Sequence, residues 1–490
     1  MIPFTYRSLF LAALATVPAA TAQVPVAPPT PVVPPAPTIA TAVPVVQAQL
    51  PLPTLTDAQQ RELAALIAKD EVAQGLSRAP RGDLDRLDQA SLVRVALDHA
   101  RAVHGGRLMP SDFQRDWGIR PAAWDPLPGF TEAVARDKLT TWFRSLPPPY
   151  QGYDLLVEGL ARYRRIAAAG GWPTLSVAPV YGSSGPAVAK LRERLAIEDP
   201  ALTGTGDRFD ASLLEAVRRA QRRYGLNPAG QVGAQTLAAL NVPVEQRVQQ
   251  IMANLERWRW LPPTLDRRRV QVNIAAAVLT AFDGDRPVMS MRAVTGRPGN
   301  ETPMLVSQIN SIVINPPWNV PDSIATKELW PKERANPGYL KRNGFRVIDT
   351  GNGGKRLQQA SEQSALGRFK FDFPNNFAVY LHDTPARSGF SKFDRLASHG
   401  CVRLEKPEDL AKLLMATTPE WQPEAIDAAL AAGKTVRAKM AEPVSVYLLY
   451  WSAFAGGDGQ VGFREDPYGW DGKLAATVER RSAVQALAAK

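Results

Sequence analysis

The hydrophobic pattern of this 490-residue chain changes once, near Pro262, and that change constrains the fold more than any other feature. Between residues 54 and 171 apolar side chains recur at helical spacing, with Leu63 and Ile67 on one face of the first segment. After Pro262, short runs rich in Val and Ile are broken by turn residues, as at Asp283-Gly284. The pattern predicts a multidomain α+β protein with a helical first half and a mainly β second half.

The same pattern divides the chain into segments. Composition and periodicity predict a signal peptide at 1–22, a Pro-rich linker at 23–53, a helical scaffold domain at 54–171, a three-helix module at 177–242, a connecting helix at 243–267 and a mainly β domain at 268–480. Within the last domain, the stretch 323–395 is long for a connection and contains an insertion.

The first 22 residues have the organisation of an export signal. Arg7 is followed by a short apolar run, Leu9 to Val17, and then by small residues ending at Ala22. The run is shorter than the roughly 20 residues of a spanning helix, although an uncleaved anchor is the alternative. We therefore expect cleavage after Ala22 and an exported, periplasmic protein. The uncharged Pro/Ala/Val linker would extend it from the membrane or serve only as a spacer.

The net charge is +11 and the pI is about 9.7. A basic balance favours an anionic partner such as a wall polymer or membrane, but an Arg-rich protein with no such partner would have the same composition. The chain has neither a dense Lys/Arg run nor the signature of a nucleic-acid module, so nucleic acid is not an expected partner.

The single cysteine, Cys401, stands in the phrase "ASHGCVRLEKP", and one cysteine cannot form an intramolecular disulfide. Two of the four histidines, His382 and His399, lie within 20 residues of it. An imidazole can take the thiol proton, and Gly400 allows the tight turn that gathers N–H groups into an oxyanion site. Arg403 would favour the thiolate or bind a substrate carboxylate. A zinc site lacks a fourth ligand, and an inert buried cysteine is the other alternative.

One motif resembles the signature of the L,D-transpeptidase (YkuD-type) catalytic domain. It runs from His382 to Arg403 and includes Ser398, His399, Gly400 and Cys401. The phrases "VTGRPGNETPMLVSQINSIVINPPWNVP" and "LGRFKFDFPNNFAVYLHDTP" are similar to the large Gram-negative branch of this family. Upstream, "VAKLRERLAI" and "FDASLLEAVRRAQRRYGLNPAGQVGAQTLAALN" resemble a three-helix peptidoglycan-binding-type domain, which binds wall or only holds its neighbour in place.

The resemblance implies that Cys401 attacks the third-residue carbonyl of a tetrapeptide stem, with His382 as general base and His399 and Gly400 at the oxyanion region. Ser398 and Arg403 are the expected supporting residues. D-alanine would leave, and an amine of a second stem would give a 3→3 cross-link. Hydrolysis, attachment of a protein to peptidoglycan and a non-catalytic wall-binding scaffold are the alternatives. In that branch the insertion within 323–395 caps the site, although an insertion without a catalytic part is also possible.

Three further residues are expected to line the cleft: Trp318, Asn376 and Tyr380. Each is also compatible with a packing role. The expected partners are the stem peptides and glycan of peptidoglycan, and the chemistry needs no cofactor and no metal. The oligomeric state is not predicted.

Overall fold

A computed structural model describes residues 51–78, 82–351 and 354–488. The predicted signal peptide and all but the last three residues of the predicted linker lie outside these ranges. Nine helices come first: α1 Asp57–Ala73, α2 Gln89–Gly105, α3 Leu127–Ala135, α4 Leu139–Arg144, α5 Gln151–Ala168, α6 Pro186–Ala196, α7 Ala211–Arg223, α8 Ala234–Leu240 and α9 Val244–Arg259. The helical first half is therefore confirmed.

Helix ends are set by residue types that favour capping. Thr56 accepts a hydrogen bond from the N–H of Gln59, whose side chain bonds back to Thr56, which is a capping box at the start of α1. Helix α2 ends with Gly106 as its C-cap, and the φ of +91° at this position favours glycine. Helices α1 to α4 pack on a core of their own, which includes Leu63 and Ile67.

Helix α9 was predicted as a connecting helix, but it lies in the interior of the protein, because every side chain from Gln250 to Arg259 is buried. Its polar groups are paired inside the protein: Arg257 lies 2.6 Å from Asp471, and Arg259 lies 3.1 Å from Glu256. Buried charges persist when they are paired and hydrogen-bonded. Helix α9 thus packs against both the helical half and the C-terminal half.

The β half is a nine-stranded sheet in the order β10-β3-β11-β9-β8-β4-β12-β1-β2, in which β2 also pairs with β3 so that the sheet closes on itself. Its strands are β1 Arg268–Asn273, β2 Val278–Asp283, β3 Arg286–Gly296, β4 Leu305–Ile314, β8 Phe369–Asp372, β9 Leu381–His382, β10 Leu396–Ser398, β11 Val402–Leu404 and β12 Val436–Leu449. Alternate residues such as Val270, Val272 and Leu279 fill the interior.

A small unit, here called the cap, is formed by residues 318–351 and 354–359. It contains β5 Trp318–Asn319, β6 Phe345–Asp349 and β7 Lys355–Gln359, with α10 Asp322–Ile324, a π turn at Ala325–Leu329, α11 Trp330–Ala335 and α12 Tyr339–Arg342. It has its own core around Leu329, Leu340 and Leu357. The cap therefore begins slightly before the range 323–395, within which an insertion was predicted, and ends well before residue 395, since β8 and β9 belong to the main sheet.

Two helices after β11 pack on the sheet, whereas the segment after β12 packs against the helical half. Helices α13 Pro407–Met415 and α14 Pro423–Ala431 follow β11, and β13 Ala453–Ala455, β14 Val461–Phe463 and α15 Trp470–Ala488 follow β12. The ring of Phe463 lies 5.3 Å from that of Tyr163 in α5, and Arg481 in α15 forms two hydrogen bonds of 2.8 Å with Asp112. Among the described residues, no helix has the length and apolar character needed to cross a membrane.

Candidate active site

The loop that carries Cys401 is held by two hydroxyl groups. Ser398 donates to the carbonyl of Cys401 at 2.5 Å and accepts from the N–H of Gly400 at 3.1 Å. Thr302 donates to the carbonyl of Gly400 at 2.7 Å and accepts from Gly296 at 2.8 Å. Gly400 has a φ of +110°, a conformation that favours glycine. The loop geometry is thus specified by a glycine and two side-chain oxygens, of which Thr302 was not predicted.

Strand pairing brings Cys401 and His382 to one face of the sheet. Strands β9 and β11 are parallel, with Val402 opposite Leu381 and Arg403 opposite His382. Val402 and Leu381 are fully buried in the interior, so the alternate residues Cys401 and His382 lie on the opposite face. The N–H of Val402 donates to the carbonyl of Tyr380 at 3.1 Å, which extends this register to Cys401 and Tyr380. Cys401 and His382 are therefore diagonal neighbours on this face of the sheet.

His382 is buried and its tautomer is set by the backbone. Its Nδ1 lies 2.5 Å from the carbonyl oxygen of Asp383, and because a carbonyl only accepts, Nδ1 carries the proton. Nε2 is the other ring nitrogen, and the backbone of Leu366 is a second hydrogen-bond partner of the ring. Burial, followed by the positive charge of Arg403, lowers the pKa of His382 to about 3. The ring is accordingly a neutral base at physiological pH.

The thiol of Cys401 is protonated in this environment. Burial raises its pKa above the ordinary value, while a hydrogen bond with Tyr380 and the charges of Lys370 and Arg403 act in the opposite direction. At rest, Cys401 is therefore a thiol and His382 a neutral imidazole, and the two do not form a thiolate–imidazolium ion pair. An arrangement of this kind performs nucleophilic attack with proton removal in the same step.

Tyr380 contacts both His382 and Cys401. Its ring is edge-on to that of His382, with centroids 5.6 Å apart, and Lys370 Nζ lies 4.5 Å from its ring centroid. Its hydroxyl makes hydrogen bonds with Cys401 and with Trp318 of the cap, and burial raises the pKa of the phenol. Trp318 and Tyr380 thus connect the cap to the nucleophile.

The oxyanion region differs from the expectation at Gly400, and the side chain of His399 makes a contact that was not predicted. The N–H of Gly400 is already used by Ser398, and the ring of His399 turns to the cap, where Nε2 lies 2.6 Å from Glu328 Oε1. Arg297 lies 3.3 Å from the same ring nitrogen. The N–H groups of His399 and Cys401 have no acceptor within the described ranges, so both are available to a developing oxyanion.

Asn376 is exposed on a turn, and the adjacent Asn375 holds that turn through four hydrogen bonds. Sequence reasoning also missed Lys370, which pairs with His382 across β8 and β9 and lies 2.7 Å from Asp372. A signal for Lys370 existed: in "FKFD" the polar residues alternate with buried phenylalanines. Across the described parts of the chain, no cluster of three or more His, Cys, Asp or Glu residues is arranged to hold a metal ion.

Comparison with known families matches three parts of the chain. Residues 267–424 match the L,D-transpeptidase catalytic domain, residues 184–240 match the "Putative peptidoglycan binding domain", and residues 54–160 match the Scaffold domain. A protein of Haemophilus influenzae named "Putative L,D-transpeptidase" is 32% identical over 245 residues, which are 46% of this chain and 49% of that protein. The chain thus spans about half the length of the curated relative it matches.

Solved structures of L,D-transpeptidases are also similar, at a level too low to carry weight. The enzyme from Stackebrandtia nassauensis has a TM-score of 0.22 and 14% identity, covering 56% of this chain and 96% of its own. The catalytic domain from E. faecium, acylated by ertapenem, has a TM-score of 0.19 and 10% identity, covering 38% and 99%. The family matches lead to the conclusion that this chain contains an L,D-transpeptidase catalytic domain of the YkuD type, preceded by a Scaffold domain and a domain of the peptidoglycan-binding family.

Proposed function

We propose that this protein is a cysteine L,D-transpeptidase that cross-links cell-wall peptidoglycan. The observation that carries the proposal is the placement of Cys401 and His382 on one face of two paired strands, with a neutral imidazole as the base. The catalytic-domain match supports the reaction class, and the peptidoglycan-binding match supports the polymer. The predicted signal peptide supports an exported, periplasmic enzyme.

In the first half-reaction, His382 takes the proton of the Cys401 thiol as sulfur attacks the third-residue carbonyl of a tetrapeptide stem. The N–H of Cys401 stabilises the oxygen of the tetrahedral intermediate. His382 then returns the proton to the departing nitrogen, D-alanine leaves and a thioester remains. In the second half-reaction, the side-chain amine of another stem attacks the thioester, its proton passes through His382 to sulfur, and a 3→3 cross-link forms.

The remaining residues have supporting roles in this proposal. Ser398 holds the backbone of the nucleophile loop, and Arg403, which lies opposite His382, keeps the imidazole neutral. Tyr380 and Trp318 fix the position of the sulfur from the side of the cap. His399 acts through its contact with Glu328 of the cap, which covers the loop. Four residues are proposed as catalytic. Cys401 and His382 touch the reacting atoms, while His399 and Gly400 shape the loop that carries Cys401.

Intact-protein mass spectrometry after incubation with a carbapenem tests the nucleophile. We expect a single covalent adduct on the wild type and none on Cys401→Ala, a change that removes one sulfur atom from a loop. His382→Ala should lower the acylation rate by about 10²- to 10⁴-fold, the usual contribution of a general base. An adduct on the Cys401→Ala variant, or a normal acylation rate with His382→Ala, would contradict the assignment. A protein without any adduct would be a non-catalytic scaffold.

The products formed from purified disaccharide tetrapeptides distinguish the acceptor. Dimers joined through two third-position residues support cross-linking. Tripeptides as the only product would instead identify an L,D-carboxypeptidase, in which water resolves the thioester. Transfer of the acyl group to a protein lysine would identify an enzyme that attaches proteins to peptidoglycan. All three reactions share the acylation step at Cys401, so they are compared on one preparation.

A further inference from the structure

A cleft of about 610 Å³ lies on the outer face of β1 and β2, between the helical half and the chain that follows β12. Its floor contains Arg269, Gln271 and Thr280, and its walls are the start of α5, Trp258 of α9 and the segment from Trp451 to Gly457. In the closed sheet, β1 and β2 are separated from β11 by β3. None of the proposed active-site residues contributes to this cleft, so it is a separate cavity.

Aromatic rings dominate the walls of the cleft. Trp258 and Trp451 are stacked, with ring centroids 4.5 Å apart, and Tyr150 lies 5.3 Å from Trp258. Phe282 and Phe454 also line the cavity. Apart from Trp258, which is buried, these rings are only partly buried. Partly exposed rings gathered in a concave site offer flat apolar surfaces, which pack against the apolar face of a sugar ring.

The polar groups of the cleft are mainly hydrogen-bond donors and positive charges. Arg269 lies over the ring of Phe282 at 4.6 Å, and Arg464 lies over the ring of Phe454 at 5.0 Å. Burial lowers the pKa of Arg464 to about 10, an effect that a bound anion would oppose. Asp285 is the only carboxylate among the described lining residues. Its side chain is fully exposed at the rim and lies 3.6 Å from Arg269, so a ligand carboxylate would replace it there.

Gln271 adds an amide to the floor of the cleft, in addition to the aromatic rings and the arginines. It is buried to more than nine-tenths, and its side chain has no hydrogen-bond partner among the described residues. Its amide atoms are not fully enclosed by protein, so they face the open space of the cleft. A buried amide that faces a cavity is a group for which a ligand or water supplies the hydrogen bonds.

We propose that this cleft binds a peptide-free muramic acid residue of the wall glycan, whose lactyl carboxylate is not amide-bonded to a stem. The sugar ring would lie against the aromatic walls, its hydroxyl or acetamido groups at Gln271 and its carboxylate at Arg269 and Arg464. The choice of a wall sugar rests on the proposed function, while the stacking surface and the positive charge rest on the cleft itself. The site would hold the glycan at a position distinct from Cys401. Its ligand is therefore the polymer and not the stem peptide.

The test uses the full chain and a peptide-free disaccharide, N-acetylglucosaminyl-N-acetylmuramic acid, in which the lactyl carboxylate is free and no acyl donor is present. Isothermal titration calorimetry should show saturable binding to the wild type. Phe454→Ala and Gln271→Ala should each weaken it by about tenfold, the scale of one aromatic contact or one hydrogen bond. The matched controls Phe393→Ala and Gln308→Ala change an exposed aromatic and an exposed amide elsewhere and should bind normally.

Three results would overturn the proposal: no binding to the wild type, equal weakening by the control variants, or binding that neither cleft variant changes. Neutral chitobiose should bind at least tenfold more weakly than the acidic disaccharide, and equal affinity would exclude recognition of a carboxylate by the arginines. Carbapenem acylation of Cys401 should be unchanged in all four variants, which also shows that each is folded. Failure of acylation in the wild type would contradict the proposed enzyme without altering the sugar-binding result.

Discussion

The acid limb of the pH profile is the most direct consequence of the burial of His382. For a base with a pKa of about 3, about 97% of the imidazole is neutral at pH 4.5, whereas for an ordinary histidine near pKa 6.5 only about 1% is neutral. Because the folded-state pKa is lowered, the neutral base is retained as pH falls and is lost only on approach to pH 3. Acylation should therefore change by less than about twofold between pH 7 and pH 4.5.

The assay is the rate of carbapenem adduct formation, measured by mass spectrometry at times short relative to hydrolysis of the free drug. Circular dichroism at each pH verifies that the protein stays folded. Arg403→Gln is the matched variant, because it removes the neighbouring charge that lowers the pKa of His382, and its acid limb should move to higher pH. A wild-type rate that falls by tenfold or more at pH 4.5 in folded protein would refute the neutral, buried base.

Three more changes test the loop and the cap. Ser398→Ala removes two hydrogen bonds within the nucleophile loop and should slow acylation by about tenfold, in line with about 1–3 kcal/mol for an unsatisfied buried group; an unchanged rate would exclude a positioning role. Gly400→Ala should lower the free energy of unfolding by about 1–3 kcal/mol because of its positive φ, whereas Gly457→Ala, with open space around it, should have little effect in the same thermal melt. Glu328→Gln should weaken the contact between cap and loop and speed amide hydrogen exchange in residues 318–351, while exchange equal to that of the exposed-site control Asp349→Asn would contradict it.

Local features of the fold were predictable because they depend on near neighbours in the chain. The Asp283-Gly284 turn joins β2 and β3, with Asp283 opposite Arg286, and α13 begins at Pro407 and buries Leu410 and Leu414. Glycine at position 400 has the positive φ that its place in the motif predicts. In each case the conformation follows from residues within a few positions of one another.

Features that join distant segments were not predictable in the same way. The contact between Glu328 and His399 spans 71 residues, and that between Arg257 and Asp471 spans 214. Neither residue type nor spacing distinguishes these carboxylates from the many that face solvent. Lys370 had a local signal in the alternation of its strand, but its position opposite His382 depends on how β8 and β9 pair.

The amino-acid sequence by itself determined which residues have the chemistry of the site: a lone thiol, two imidazoles nearby in the chain and a glycine that allows the turn between them. Only the tertiary structure decided that His382 is a buried neutral base, that the ring of His399 faces the cap and that Gly400 gives its N–H to Ser398. The physical reason is that strand register and desolvation arise from the packing of the whole domain, whereas nucleophilicity and turn preference belong to the residues themselves.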